Sequence, residues 1–401
     1  MAALSFLPAG RNGEIYSRSF RPEDGRLKFR LDWSIHHMNR NFMDSLIIRD
    51  IRARAIVAPL TRPVRTASGA VDVSPLILVD VLTEQGITGN AYLFGYTPVT
   101  LRPLLALIDE IKPELIGKTV VPVARMQQLE QRFRLLGMQG LLGMVASTLD
   151  MAYWDALGKS VNKPVVELLG GEARPVWAYD SYGMVDPVGD AKAIERSMAQ
   201  GFRAIKIKLG DPDVQRDIHV TREIRQMIGP QTALMVDFNQ SLQPTEAIRR
   251  IRLLEPFDLH WVEEPVAAED LQGHALVRNA VEANIQTGEN WWFPRDAERA
   301  ISVGACDMMM PDLMKIGGIT GWLSVMGMAR AASMPVSSHL FIEASAHVLS
   351  VTPTCHWLEF MDFGSAVLAK PYEIMDGQVT AQGPGLGMEW NEEAVKRYAL
   401  N

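Results

Sequence analysis

From Leu46 onward, short apolar runs alternate with longer stretches in which apolar residues recur at helical spacing. Leu46–Pro59, Leu76–Thr83 and Ile87–Phe94 read as strands. The turn Glu84-Gln85-Gly86 joins the last two, which gives an antiparallel meander. Thr100–Leu115, Pro122–Leu136 and Leu141–Ser160 carry the helical period. Residues 45–170 therefore read as one α+β unit. Between positions 176 and 362 the pattern changes to eight apolar runs, each ending on a polar residue, with helical stretches between them. The helical stretches include Asp190–Gln200, Asp213–Ile228, Thr245–Leu254, Arg295–Val303 and Gly318–Ser333. A parallel crossover takes a dozen residues or more, and these intervals supply them. Eight such units over residues 171–370 predict an α/β fold, a TIM-type barrel whose active site lies at the C-terminal strand ends.

Three of those strand ends organise the chemistry. Ala-Leu-Met-Val-Asp237, His-Trp-Val-Glu263 and Ile-Gln-Thr-Gly-Glu289 each stop on an acid, at steps of 26 and 26 residues. Any one of these acids alone would read as a solvated loop residue. Three at one spacing, on neighbouring strands, would converge and repel. A hard divalent cation removes that conflict, and Mg²⁺ suits oxygen ligands with positions left for water and substrate. The period extends upstream to Lys206 and Lys208, and before them to Ser181. Downstream it reaches Asp312, His339 and Glu359. Curvature or a bulge at their strand end is expected to bring both lysines into the barrel mouth. A carboxylate at Asp312 would orient the His339 ring from the neighbouring strand. The set predicts removal of a weakly acidic proton α to a carboxylate, with the metal and cationic groups stabilising the enediolate.

Composition narrows the class further. Hydrophobic residues make up 47% and charged residues 22%, ordinary for a globular chain. A net charge of −7, with no basic stripe, argues against nucleic acid as a partner. No apolar run reaches the roughly 20 residues of a membrane span, and no secretory signal is visible, so a cytoplasmic enzyme is expected. Cys306 and Cys355 offer neither a disulfide framework nor thiolate metal spacing. Residues 1–44 are polar and irregular. They read as a disordered or loosely docked extension, or as translation upstream of a start at Met43. The stretch Thr61–Val73 is long and contains glycine, which predicts a lid loop. Residues 371–401 are turn-rich and are expected to pack back on the first unit.

These residues also carry a resemblance. Lys206-Ile-Lys208, Asp237-Phe-Asn239, Trp-Val-Glu263-Glu-Pro, Gly-Glu289-Asn-Trp, Pro-Asp312-Leu-Met-Lys-Ile-Gly-Gly, Ser-Ser-His339-Leu-Phe and His-Trp-Leu-Glu359 occur in this order. The chain resembles the enolase superfamily, mandelate racemase subgroup, from about Leu46 to its end. The resemblance implies a (β/α)7β barrel with an α+β capping domain built from the N-terminal part and the C-terminal tail. It implies Mg²⁺ on Asp237, Glu263 and Glu289. It implies Lys208 as base for one enantiomer and the His339–Asp312 dyad for the other. Lys206 would offset the charge of the substrate carboxylate, and Glu359, protonated, would donate a hydrogen bond to it. Asn239 and Ser181 would hold polar groups of the substrate. Val64, Val71, Tyr96, Leu340 and Met361 would wall an aromatic ring, whereas Arg62, Arg65 and Ser68 are more polar than that wall requires. The implied partner is a small 2-hydroxy carboxylate, and the implied assembly a homo-oligomer, an octamer by the resemblance. Racemisation of a mandelate-like acid and dehydration of an aldonate or aldarate both remain open at this point.

Overall fold

The structure is a computed structural model and describes residues 45–66 and 69–400. The expected extension over residues 1–44, and Ser68, lie outside the described residues. Strands β1 (Ile48–Thr66), β2 (Gly69–Thr83) and β3 (Thr88–Phe94) form an antiparallel sheet in chain order. Helices α1 (Leu101–Leu115), α2 (Pro122–Arg132) and α3 (Gly140–Ser160) follow. A short α4 (Val165–Leu168) leads into the second layer system.

The stretch Thr61–Val73 is not the open lid loop that its length suggested. It is the far end of a hairpin, with Val64 opposite Val71, Arg65 opposite Ala70 and Thr66 opposite Gly69. Thr61, Val64, Thr66, Val71 and Val73 are β-branched and fit a pleated surface. Besides a shift between Ile48 and Asp50, the register slips between Pro59 and Val64. Two prolines there, Pro59 and Pro63, have no N–H to give to the ladder.

The remaining strands are β4 (Pro175–Ser181), β5 (Ala204–Lys208), β6 (Ala233–Asp237), β7 (Leu259–Glu263), β8 (Ile285–Thr287), β9 (Met308–Met309) and β10 (Leu358–Phe360). They run parallel in the order β10-β4-β5-β6-β7-β8-β9. The run ending on His339 is not a continuous strand. It closes the ring through single bridges, Met309 to Val336, Asp312 to His339, and Val336 to Cys355. Ser337 N donates to Met309 O at 2.9 Å, and Ser338 N to Trp357 O at 3.0 Å. Pro311 and Pro335, which have no N–H, interrupt the ladder on either side.

The outer helices are α5 (Ala191–Ala199), α6 (Val214–Ile228), α7 (Pro244–Leu254), α8 (Leu271–Arg278), α9 (Phe293–Val303), α10 (Gly318–Ala331) and α11 (Ile342–Val351). The apolar pattern did not single out α8 or α11. The tail splits its attachments. Strand β11 (Gln378–Thr380) pairs antiparallel with β4 of the barrel, whereas α12 (Glu392–Tyr398) lies against β1. Leu400 N bonds Ala55 O at 2.9 Å, and Trp390 Nε1 bonds the buried Asp80 carboxylate at 2.6 Å.

The period of two along each barrel strand sorts the side chains. Ile205, Ile207, Leu234, Val236 and Val262 join the large core shared with the helices. Tyr179, Ala204, Met235 and Trp261 form a separate cluster, with Met308 and Trp357 against it. Lys206, Asp237 and Glu263 follow these inward residues at two-residue steps along the same strands. An aromatic plug thus fills the barrel beneath a layer of charge. One ring centroid in the plug, that of Tyr179, lies 5.3 Å from the Lys206 ammonium.

The capping layer is tied to the barrel by buried polar contacts. Asp150 of α3 accepts from Thr320 N at 2.9 Å and from Thr320 Oγ1 at 2.5 Å. Gly318, at φ +66, brings the start of α10 so close that a Cβ there would run into the Asp150 carboxylate. Burial pushes the Asp150 carboxyl up to about 7, against the hydrogen bonds from Thr320. The native state therefore keeps a proton that the unfolded chain loses near its ordinary value of 3.8. The stability so contributed is complete below that value and lost as pH rises through about 7. Asp150→Asn should flatten the fall in unfolding free energy between pH 5 and pH 8, relative to the parent, in urea titrations. An unchanged difference between the two pH values would refute a neutral Asp150.

Candidate active site

The charged layer sits at the C-terminal ends of the barrel strands. Ligand oxygens of Asp237, Glu263 and Glu289 lie within 4.8 Å of one another, and all three residues are buried. Among the described residues no other group of this kind occurs. Lys206 Nζ reaches Glu263 Oε1 at 2.6 Å and Glu359 Oε1 at 2.8 Å. Lys208 Nζ reaches Asp237 Oδ2 at 2.5 Å. No bulge was needed to bring both lysines in, because β5 keeps an unbroken register with β6 and residues two apart share a face.

On the other flank, His339 Nδ1 lies 2.6 Å from Asp312 Oδ2, and Nε2 lies 3.1 Å from Glu289 Oε2. Asp312 is itself held by Met314 N at 2.6 Å. Asn239 donates twice to Asp237, from N at 2.6 Å and from Nδ2 at 3.0 Å. Trp261 Nε1 donates to Glu263 Oε2 at 3.1 Å. Thus the eight predicted catalytic or metal residues, with Asn239, fall into three bonded groups, Lys206–Glu263–Glu359, Lys208–Asp237–Asn239 and His339–Asp312–Glu289, and each group supplies one carboxylate of the trio.

The charge states follow from these contacts. Burial alone would depress the Lys206 ammonium, but Glu263 and Glu359 hold it well above its usual range. Lys208 is likewise depressed by burial and raised, in net, by Asp237. The carboxylates that the two lysines touch reverse the sign that burial alone would give. Burial pulls the His339 imidazole down, while Glu289, Glu359 and Asp312 lift it to about 9. Burial would raise Glu359, but Lys206 and His339 bring it to about 2. Lys206 and His339 thus favour the carboxylate form of Glu359. It accepts from Leu340 N at 3.0 Å.

The substrate-side residues are arranged less tightly. Ser181 is buried beside Lys206 in the sheet, and its hydroxyl has no protein partner. Asn239 Oδ1 is likewise unpartnered. Val64, Leu340 and Met361 are buried apolar groups, as a wall requires. Tyr96 adopts φ +59 and is 42% exposed over its whole side, yet its hydroxyl end is enclosed near Lys315. Lys315, three residues after Asp312, lies 5.0 Å from the Tyr96 ring centroid and donates to Asn290 Oδ1 at 2.6 Å. Asn290 in turn donates to Glu264 Oε2 at 2.7 Å and to Glu289 Oε1 at 3.1 Å. Sequence reasoning missed Lys315 and Asn290, although both stand inside the quoted motifs. Glu264, next to Glu263, adopts φ +35, and its carboxylate shares the Asn290 amide with Glu289.

Arg62 is engaged elsewhere. Its guanidinium bonds the Asp180 carboxylate at 2.6 and 3.1 Å and Ser181 O at 2.7 Å, over the Tyr182 ring at 3.8 Å. Arg65 extends towards Asp190 at 3.5 Å. Arg62 thus fastens the hairpin to β4 and does not turn inward.

The comparisons with known proteins agree with this geometry. Residues 49–170 match the mandelate racemase / muconate lactonizing enzyme N-terminal domain, and residues 190–394 match the enolase C-terminal domain-like family. The chain belongs to the mandelate racemase / muconate lactonizing enzyme family of the enolase superfamily. A 3,6-anhydro-alpha-L-galactonate cycloisomerase of Streptomyces coelicolor is 32% identical over 88% of this chain and all of that protein. An L-talarate/galactarate dehydratase of Salmonella typhimurium is 32% identical over 80% of this chain and 81% of the relative. A crystal structure of an enolase from Bradyrhizobium, complexed with magnesium and mandelic acid, is 55% identical. It superposes with a TM-score of 0.88 over 90% of this chain and all of that one. Among the described residues no helix is long and apolar enough to cross a membrane.

Arg62→Ala leaves Asp180 buried without its cation. It should cost about 2 kcal/mol of stability in urea titration, less than for a fully buried pair because Arg62 is partly exposed while Asp180 is buried. The same variant should be cut faster by trypsin at Arg65. Unchanged proteolysis would mean that the hairpin is held by its strand pairing alone.

Proposed function

We propose that this chain is a Mg²⁺-dependent enzyme that removes the proton α to a carboxylate and racemises a mandelate-like 2-hydroxy acid. One observation carries the reading: two groups able to move a proton reach the carboxylate trio from different strands. Lys208 arrives from β5 at Asp237, and His339, oriented by Asp312, arrives at Glu289.

Asp237, Glu263 and Glu289 would hold the metal. The test of fit is the donor set: three buried carboxylates with no nitrogen or sulfur among them, gathered within 4.8 Å, suit a hard cation. When bound, Mg²⁺ supplies the positive charge that favours ionisation next to a carboxylate. The protein's own residues do the rest. Lys206 lies where its ammonium offsets charge gathering on the substrate carboxylate. A substrate carboxylate beside Glu359 would repel its charge and favour the protonated form, which can then donate a hydrogen bond. Lys208 accepts the α-proton of one enantiomer; His339, through Nε2, serves the other, while Asp312 keeps Nδ1 protonated. The unpartnered Ser181 hydroxyl and Asn239 Oδ1 are free to bind the substrate hydroxyl. Val64, Leu340 and Met361 supply an apolar wall, and the Bradyrhizobium neighbour with mandelic acid favours an aryl ligand.

A second reading has its own support. Relatives at 32% identity act on acid sugars, and the same free Ser181 and Asn239 atoms would suit a polyhydroxylated chain. In a dehydratase, His339 would act as the acid that expels a β-hydroxyl.

Incubation of each mandelate enantiomer and of a panel of aldarates in D₂O separates the two. Recovered acid carrying α-deuterium with inverted configuration supports racemisation; a 2-keto-3-deoxy acid trapped by semicarbazide supports dehydration and overturns the first reading. EDTA should abolish turnover, and Mg²⁺ should restore it; full activity after exhaustive chelation would exclude the trio as a metal site. His339→Asn should stop turnover yet leave α-proton exchange of the enantiomer served by Lys208, and Lys208→Ala should leave the complementary exchange. Racemisation in both directions by His339→Asn would refute the two-base assignment.

A further inference from the structure

The turn that follows His339 is strained. Leu340 and Phe341 both adopt left-handed backbone, at φ +50 and +48, and neither is glycine. Each such residue costs on the order of 1–3 kcal/mol and persists only where its surroundings over-determine it. Two of the restraints come from the barrel. Leu340 N is held by Glu359 Oε2 at 3.0 Å, and Leu340 O by Ser345 Oγ at 2.8 Å. The third comes from the capping sheet. Tyr92, in β3, stacks on Phe341 with ring centroids 5.2 Å apart and planes at 29°. Its hydroxyl is 2.8 Å from Glu343 Oε2, in the first turn of α11. Tyr92 and Glu343 are both buried, and Gly364, just after β10, is packed so close that a Cβ there would press on the Tyr92 ring. The capping sheet therefore clamps the two residues that follow His339.

We infer that Tyr92 and Glu343 are positioning residues that aim the His339 ring at the reacting carbon by holding the Leu340–Phe341 turn in its left-handed form. This rests on the proposed function for the role of His339. Neither residue touches the carboxylate trio; they act through the backbone that carries the imidazole. Loss of the clamp lets the turn relax towards ordinary backbone, which tilts His339 away from Asp312 and from its substrate. Lys208, three strands away on β5, has no such connection to Tyr92. The clamp thus affects one face of the site and not the other.

The test uses the full chain with Mg²⁺ and four variants, Tyr92→Phe, Tyr92→Leu, Glu343→Gln and His339→Asn. Proton NMR in water reads the low-field resonance expected of the short Nδ1–H to Asp312 hydrogen bond, which His339→Asn identifies by removing it. The α-proton exchange of each mandelate enantiomer in D₂O reads the two faces. Tyr92→Phe should move or broaden the low-field resonance and slow the His339-side exchange about tenfold at saturating substrate, with the Lys208-side rate within twofold and KM unchanged. Tyr92→Leu, which also removes the stacked ring, should do more. Glu343→Gln keeps a hydrogen-bonding partner for Tyr92 and should retain most of the His339-side rate; this variant also serves if Tyr92→Leu does not fold. An unmoved resonance in the Tyr92 variants, or equal losses on both faces, overturns the inference. If His339→Asn itself slows both enantiomers equally, the two-base reading falls instead, and the resonance still decides whether Tyr92 positions the ring.

Discussion

The constraint on which the structure depends is the gathering of buried charge at one end of the barrel. Asp237, Glu263, Glu289, Asp312 and Glu359 face Lys206, Lys208 and His339 in a space with almost no exposure. Two unit charges about 4 Å apart interact by about 4 kcal/mol at an effective dielectric near 20. No member of this set is tolerable without its neighbours. Burial pushes Glu263 well above its usual range even against Lys206, while Lys208 and Lys206 overcome burial to hold Asp237 below it. The aromatic plug of Tyr179 and Trp261 keeps the layer dry from beneath, and Trp261 also donates to Glu263. A surplus of carboxylate in such a place is what a hard cation would bind.

The second constraint is how the capping layer meets the barrel. It is joined by polar contacts that are specific in direction: Asp150 to Thr320, Ser74 Oγ to Phe363 O at 2.7 Å, Arg62 to Asp180, and Tyr92 to Glu343. Two of these contacts land beside a site residue. Arg62 holds the backbone of Ser181, and Tyr92 holds the turn after His339. The first layer therefore does more than cover the mouth. It sets the backbone of two strand ends from which site residues project, and this is why the hairpin is anchored where a free lid would have been expected.

The amino-acid sequence by itself determined the repeating βα order, the placement of Asp237, Glu263 and Glu289 at equivalent strand ends, and the lysine pair upstream. These follow from the period of two along buried strands and from the length of a parallel crossover, both local properties. Helices α9 and α10 were legible from the helical spacing of their apolar residues, which is local as well. Tertiary structure alone decided what depends on distant partners. Thr61–Val73 pairs as a hairpin because its β-branched residues find each other across the tip. The run to Val336 closes the ring by bridges because Pro311 and Pro335 interrupt its ladder. Glu359 is drawn towards its carboxylate form because Lys206 reaches it from β5. Lys315, Asn290, Tyr92 and Glu343 gained their places only when segments apart in the chain were brought within hydrogen-bond distance, and no spacing rule encodes that.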